Sequence, residues 1–124
     1  MNMIEIITNW NRIAGNKGFD YTLESNMLAE EFAETIIAMK TGDDVELIDG
    51  VLDMFIIGIG TLYKKGYTAY QIEQCFDEIM DSNYSKFQTD KEGNEVCVRN
   101  EAGKIIKGEG FTPPDIKAIL KWDV

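Results

Sequence analysis

Residues 30–53 read EEFAETIIAMKTGDDVELIDGVLD, and this stretch decides the fold that the sequence predicts. Two helical segments flank a tight turn, in which Gly42 is suited to end one helix and Asp43 to cap the next. A connection this short places neighbouring helices antiparallel and side by side. We therefore predict an all-α protein, built as a helical bundle of about four main helices.

Acidic residues recur at helical spacing on both sides of the turn. Glu31 and Glu34 share one face of the first helix, because they are three residues apart. Glu46, Asp49 and Asp53 share one face of the next helix. Since the two helices are predicted to be neighbours, the two acidic faces can point at each other across the gap.

Two explanations compete for these acids. A solvated helix face is the usual one, and the spacing favours it for Glu30. Asp49 and Asp53 lie within the apolar run LIDGVLDMFIIGIG, which argues against that explanation for the other acids. Inward-facing carboxylates about 5 Å apart would repel by roughly 3 kcal/mol at an effective dielectric constant of 20. A divalent cation offsets that repulsion, and oxygen ligands suit Mg²⁺ or Mn²⁺. The predicted metal ligands are Glu31, Glu34, Glu46, Asp49 and Asp53.

Composition excludes several classes of function. The net charge of −10 over 124 residues disfavours binding to a nucleic acid polymer, which needs a basic face. The chain contains no histidine, which excludes histidine-based acid–base catalysis and the Glu-x-x-His di-iron bundle. The longest apolar run, MFIIGIG, is too short to span a bilayer, and the first residues do not resemble a signal peptide. Cys75 and Cys97 lack metal or redox spacing, so we expect a cytoplasmic protein that makes no membrane contact.

Apolar periodicity predicts where the helices lie. Thr22 is a plausible N-cap of the second helix, and Thr68-x-x-Gln71 is a capping box that opens the fourth. In the first helix, Ile4, Ile7, Ile13 and Trp10 are expected to face inward. In the fourth, the expected inward stripe is Ile72, Cys75, Phe76, Ile79 and Met80. The predicted helices cover residues 2–14, about 22–40 and about 44–64, and the fourth runs from Thr68 to an end near DSNYSK, residues 81–86.

The third helix is apolar on all sides and must therefore be covered on all sides. One chain of this size supplies too few helices to do so. We expect a second copy to complete the bundle, giving a homodimer or a dimer of dimers. Gly58 and Gly60 either allow a close helix approach or only weaken the helix, and the sequence leaves both open.

The chain changes character after Lys86. The β-prone runs VCV and KII, separated by a turn, predict a small hairpin. Pro113 and Pro114 then introduce a short terminal helix or turn, with Trp122 as an anchor. We expect one domain over residues 1–124, with a helical part at 1–86 and the hairpin and terminal turn at 87–124.

The residues together suggest a family. EEFAE followed by ELIDGVLD resembles the ExxE…ExxD signature of the all-α nucleotide pyrophosphohydrolases related to MazG. DSNYSKF followed by GKIIKGEGFTPPDI is similar to the C-terminal part of small, phage-type members that are called phosphoribosyl-ATP pyrophosphohydrolase-like. The resemblance covers most of the chain from about residue 22.

This resemblance implies Mg²⁺-dependent hydrolysis of a nucleoside triphosphate to the monophosphate and pyrophosphate. Matching positions would make Glu31, Glu34, Glu46 and Asp49 the metal ligands, with Asp53 as an addition to the minimal signature. Glu30 or Glu34 would orient the attacking water or take its proton. The resemblance implies that Asn83 and Lys86 contact phosphates. From the residues alone, Lys107 is a further candidate for phosphate contact, and Trp10 is a candidate for stacking on a base. There are two rival hypotheses. One is a narrower pyrophosphatase for dUTP or dCTP, and the other is a non-enzymatic helical dimer that binds a nucleotide or protein.

Overall fold

Four main helices follow one another along the chain and confirm the predicted all-α class. A short fifth helix and a two-stranded antiparallel sheet lie near the C-terminus. No helix within residues 1–121 is both long enough and apolar enough to cross a bilayer. The main helices are α1 (Met3–Ile13), α2 (Tyr21–Thr41), α3 (Asp44–Lys64) and α4 (Ala69–Tyr84).

The structure is a computed structural model, and it describes residues 1–121. The chain divides into two compact units, Met1–Ile72 and Glu73–Val124. The division falls inside α4 and not near residue 86, where the sequence suggested a change from helices to hairpin. That the whole chain acts as one domain remains a prediction.

The turn between α2 and α3 forms as the sequence predicts. Gly42 ends α2 in the left-handed region, with φ at 72°, where a side chain would be strained. The carboxylate of Asp43 accepts a hydrogen bond from the Glu46 backbone N–H at 3.1 Å and so caps α3. At the other end of α2, the N-cap is Asp20 and not Thr22, because the Asp20 side chain accepts from the N–H groups of Thr22 and Leu23.

Two contacts show that α2 and α3 run antiparallel. Glu24, near the start of α2, forms a buried ion pair with Lys64 at the end of α3. Thr35, further along α2, packs against Gly50 near the start of α3. The α2–α3 pair is therefore a helical hairpin fixed at three places, which are the turn, the Thr35–Gly50 contact and the ion pair.

Helix α1 packs on α3 through a small face. Ile7 and Asn11 are buried, whereas Trp10 and Ile13 are 62% and 70% exposed, so their predicted inward orientation is wrong. A Cβ at Gly60 would lie 3.3 Å from the Asn11 side-chain nitrogen, so this glycine does allow close packing. Gly58 has open space around it and does not serve that purpose.

Helices α1 and α3 carry exposed apolar side chains at heptad-like spacing. On α3 they recur every three or four residues from Val45 to Phe55 and again seven residues later at Leu62, which is the pattern of a helix–helix contact. We call this row the α3 seam. Dimerisation through it remains a prediction. The exposed members of the α3 seam are Val45, Ile48, Leu52, Phe55 and Leu62.

The second unit holds the predicted hairpin, but the strands lie earlier than expected. β1 (Gln88–Thr89) pairs antiparallel with β2 (Glu95–Val96). The VCV and KII runs approach each other through a bridge between Arg99 and Ile105. The terminal helix is α5 (Ile116–Leu120).

Helix α4 agrees with the sequence prediction at its start but not along its whole inward stripe. On α4, Ile72 is buried, but Phe76 and Ile79 are 52% and 43% exposed, so these two do not form the inward stripe that the sequence predicts. The capping box at the start of α4 forms as predicted, with Thr68 and Gln71 exchanging bonds at 2.8 and 3.1 Å. The anchor proposed for Trp122 lies outside the described residues.

Candidate functional site

The predicted carboxylates lie on α2 and α3 on both sides of the Thr35–Gly50 contact. Glu31 and Asp53 are half-buried, whereas the remaining predicted acids are exposed. The sequence predicted inward-facing side chains for all of them except Glu30, which it assigned to a solvated face. The inward orientation is wrong for Glu34, Glu46 and Asp49, whereas Glu30 is exposed as predicted. The reason is that the α2–α3 hairpin does not by itself enclose this face. The exposed acids are Glu30, Glu34, Glu46 and Asp49.

Several of these acids nevertheless share one electrostatic environment. The pKa of Glu31 is raised above its ordinary value of 4.5. Partial removal from water is the largest cause, followed by the negative charges of Glu34, Asp53, Asp49 and Glu30. Carboxylates from both helices therefore act on Glu31, as a site built across the hairpin requires.

The antiparallel arrangement explains why, among the α3 acids, Asp53 raises the pKa of Glu31 more than Asp49 does. Glu31 is four residues before Thr35, and Asp53 is three residues after Gly50. Because the helices run in opposite directions, these two positions lie on the same side of the contact, within about 1.5 Å along the axes. Glu46 lies four residues before Gly50, on the opposite side and about 12 Å from Glu31 along the axes. The geometry thus brings Asp53 closer to Glu31 than Glu46.

A divalent cation fits the donor chemistry of this face, but the side chains are not yet gathered around a point. The donors are carboxylate oxygens, which suit Mg²⁺. Among residues 1–121, no three acidic or cysteine side chains stand close enough together to hold a metal ion. The carboxylates repel each other, and the exposed ones are free of packing that would hold them inward. Side-chain rotation is therefore needed for them to converge, and the metal ligands remain a prediction.

Sequence reasoning missed the residues that set the spacing of the two helices. Thr35 is 2% exposed and Gly50 is buried. The Thr35 hydroxyl donates a hydrogen bond to the backbone carbonyl of Glu31 at 2.7 Å. A glycine directly after an acidic motif, inside an otherwise apolar helix, is the signal that could have indicated this contact.

Two of the predicted substrate contacts lie together in the second unit. Asn83 and Lys86 line one pocket of about 410 Å³, and the Lys86 ammonium donates a hydrogen bond to the Asn83 side-chain oxygen at 2.9 Å. Lys107 is placed differently, because its ammonium lies 4.5 Å from the centre of the Phe111 ring. That these groups bind phosphate remains a prediction.

Trp10 belongs to the first unit. It lines an apolar groove of about 330 Å³ with Ile6, Ile7 and Ile56. The groove brings α1 and α3 residues together and contains almost no polar surface. Its chemistry suits an aromatic ring or an apolar helix face, and a role for Trp10 in substrate binding remains a prediction.

The helical hairpin with acids on both helices is the arrangement expected of the all-α nucleotide pyrophosphohydrolases of the MazG-like superfamily, and a family profile assigns the chain to that superfamily. The chain belongs to the phosphoribosyl-ATP pyrophosphohydrolase family, whose sequence profile matches residues 13–83, more than half of the chain. The matched segment contains α2, α3 and nearly all of α4. No curated protein matches the chain significantly.

Proposed function

We propose that the protein hydrolyses a ribo- or deoxyribonucleoside triphosphate to the monophosphate and pyrophosphate in a Mg²⁺-dependent reaction. The observation that carries this proposal is that α2 and α3 form an antiparallel hairpin in which the acidic motifs of both helices flank the Thr35–Gly50 contact. In keeping with this, desolvation and then the negative charges of acids from both helices raise the pKa of Glu31. The family supports the reaction type, because its members are pyrophosphohydrolases. The nucleotide and the need for Mg²⁺ are the parts that belong to the proposal.

The residues have distinct roles in this reaction. Glu31, Glu34 and Asp49 would hold Mg²⁺, together with Asp53 or Glu46. When bound, the ion neutralises negative charge on the triphosphate and favours its cleavage. Glu30 or Glu34 orients water and takes its proton as water adds across the phosphoanhydride bond and pyrophosphate leaves.

The cations and aromatic groups would serve the substrate. Lys86 and Lys107 carry positive charge that suits the departing pyrophosphate, and Asn83 offers an amide to a phosphate oxygen. Trp10 offers a ring on which a base could stack. In this proposal the active protein is a homodimer or dimer of dimers, in which a second copy covers the α3 seam.

One assay tests the proposal directly. Pyrophosphate release is measured over the common ribo- and deoxyribonucleoside triphosphates, with Mg²⁺ and with excess chelator. We expect at least one substrate to be turned over only with Mg²⁺. Glu34→Gln and Asp49→Asn are expected to lower the rate on the order of a hundredfold or more.

Three further variants sharpen the result. Asp77→Asn removes an exposed helical carboxylate outside the first unit and should leave the rate unchanged. Glu46→Gln removes a ligand that the family motif implies, and Asp53→Asn removes the acid that the geometry places nearer Glu31. Comparing their rates shows which of the two matters more. Turnover that is equal with chelator, or unaffected by both Glu34→Gln and Asp49→Asn, would contradict the proposal.

The exposed α3 seam also supports the second hypothesis, a non-enzymatic helical dimer whose acids only keep it soluble. Thermal melts separate the two hypotheses. A metal-binding enzyme gains stability with Mg²⁺, by about 2.7 kcal/mol at a hundred times the dissociation constant. A dimer without a metal site gains nothing from millimolar Mg²⁺.

A further inference from the structure

The contact between Thr35 and Gly50 is closer than any side chain at position 50 would allow. An ideal Cβ on Gly50 would lie 2.2 Å from the Thr35 hydroxyl oxygen, 3.3 Å from its Cβ and 3.5 Å from its Cα. The first distance is far inside van der Waals contact. The absence of a side chain at Gly50 therefore sets how near α3 lies to α2.

The hydroxyl that fills this space is itself held in place. It donates to the backbone carbonyl of Glu31, one turn earlier on the same helix. Threonine in a helix commonly adopts the rotamer that makes this bond. The hydroxyl cannot swing away from an added methyl group without breaking this bond, in a side chain that is only 2% exposed. Relief must therefore come from separation of the two helices.

The two contact residues occupy equivalent positions in the two acidic motifs. Thr35 directly follows Glu31-x-x-Glu34, and Gly50 directly follows Glu46-x-x-Asp49. The acids of both helices thus lie within four residues of the contact. The distance between the helices at this contact sets the separation of the backbone positions that carry the carboxylates of α2 and α3.

We propose that Thr35 and Gly50 are positioning residues that set the spacing of the carboxylates for a divalent cation. The inference rests on the proposed function, since it concerns the same site. A methyl group at position 50 would push the helices apart by about 1 Å or more at this point. Mg²⁺ requires oxygen ligands at about 2.1 Å in near-octahedral geometry and tolerates such displacement poorly.

A set of four variants tests this proposal. Gly50→Ala adds the clashing methyl group, Thr35→Ala removes the hydroxyl that it would meet, and the double variant combines them. Gly58→Ala is the matched control, because it makes the same change on the same helix at a position with open space. For each, Mg²⁺ affinity is measured by calorimetry without substrate, alongside kcat and melting temperature in chelator.

We expect Gly50→Ala to weaken Mg²⁺ binding at least tenfold, and Gly58→Ala to leave it unchanged. The double variant should recover to within about threefold of the wild type, because only the tight 3.3 Å contact with the Thr35 Cβ remains. A merely structural contact would lower the melting temperature without moving the Mg²⁺ affinity of the folded protein, so the two readouts separate positioning from stability.

The outcomes are distinct. A wild-type protein that neither binds Mg²⁺ nor releases pyrophosphate overturns the proposed function. An active wild type with a folded Gly50→Ala variant of unchanged Mg²⁺ affinity overturns the positioning role alone. If Gly50→Ala does not fold, the double variant decides, and a folded double variant that binds Mg²⁺ more than tenfold weaker than the wild type also overturns the positioning role.

Discussion

Replacing Lys64 with methionine should strongly destabilise the α2–α3 hairpin. The side chains of Glu24 and Lys64 are 4% and 13% exposed in their ion pair. Both carboxylate oxygens of Glu24 are buried and, within residues 1–121, accept no hydrogen bond of good geometry. The Lys64 ammonium is therefore the group that compensates this buried charge.

The expected magnitude follows from leaving that carboxylate without its counter-ion. Removing one partner of a buried ion pair typically costs about 3–5 kcal/mol, whereas replacing both by apolar residues is often neutral or stabilising. Lys64→Met should therefore lower the free energy of unfolding by about 3 kcal/mol or more. The double variant Glu24→Met/Lys64→Met should recover most of the loss, since it leaves no buried charge behind.

Urea unfolding followed by circular dichroism measures both variants. With a slope of roughly 1–3 kcal/mol per molar urea, the midpoint of Lys64→Met should fall by at least about 1 M. Lys65→Met is the matched control, because Lys65 is exposed and adjacent in sequence. The reasoning is refuted if Lys64→Met and Lys65→Met shift the midpoint equally, or if the double variant is as unstable as Lys64→Met.

Three further predictions concern the acids, the α3 seam and the turn. The raised pKa of Glu31 means that, between pH 4.5 and that raised value, this carboxyl group is protonated to a larger extent in the folded protein than in the unfolded chain. Metal-free stability should thus fall as pH rises through this window, and Glu31→Gln should flatten the fall in thermal melts. Leu52→Lys should dissociate the proposed dimer in sedimentation experiments, whereas Ile37→Lys, an equally exposed change on α2, should not. Asp43→Ala should cost about 0.5–2 kcal/mol in urea unfolding, because it removes the N-cap of α3.

Each of these has a result that would contradict it. The Glu31 prediction would be contradicted if the melting temperature of metal-free wild type and of Glu31→Gln depended on pH in the same way. For the α3 seam, the wild type would sediment as a monomer or Leu52→Lys would sediment as the wild type does. For the cap, Asp43→Ala would unfold at the wild-type urea concentration, with Asp44→Ala as a neighbouring control that removes an acid but no cap.

Local signals in the sequence sufficed to predict where α3 lies. Asp43 caps it and Lys64 ends it, as the capping preferences and the apolar pattern indicate. The same reasoning misplaced the start of α2. An aspartate is at least as good an N-cap as a threonine, so Asp20 was a readable alternative to Thr22. Such signals act within a few residues, which is why they can be read without the fold.

The sequence alone could not predict which side of a helix faces its neighbour. Gly50, Gly58 and Gly60 look alike in sequence, yet their surroundings are a threonine hydroxyl, open space and an asparagine amide. The exposure of Trp10 has the same origin, because only the crossing of α1 and α3 decides which side of α1 is covered. The acidic motifs could be recognised in the sequence. Which acid of α3 lies beside which acid of α2 could not be predicted, because it depends on which residues of the two helices are in contact.

The two-residue turn at Gly42 and Asp43 has a consequence for how the molecule folds. Contacts near the turn join residues of α2 and α3 that are close in sequence, and chains rich in such local contacts fold fast. The hairpin is therefore expected to assemble early, and its formation brings the like charges of α2 and α3 together. Because salt screens the repulsion between these charges, the folding rate should rise with ionic strength.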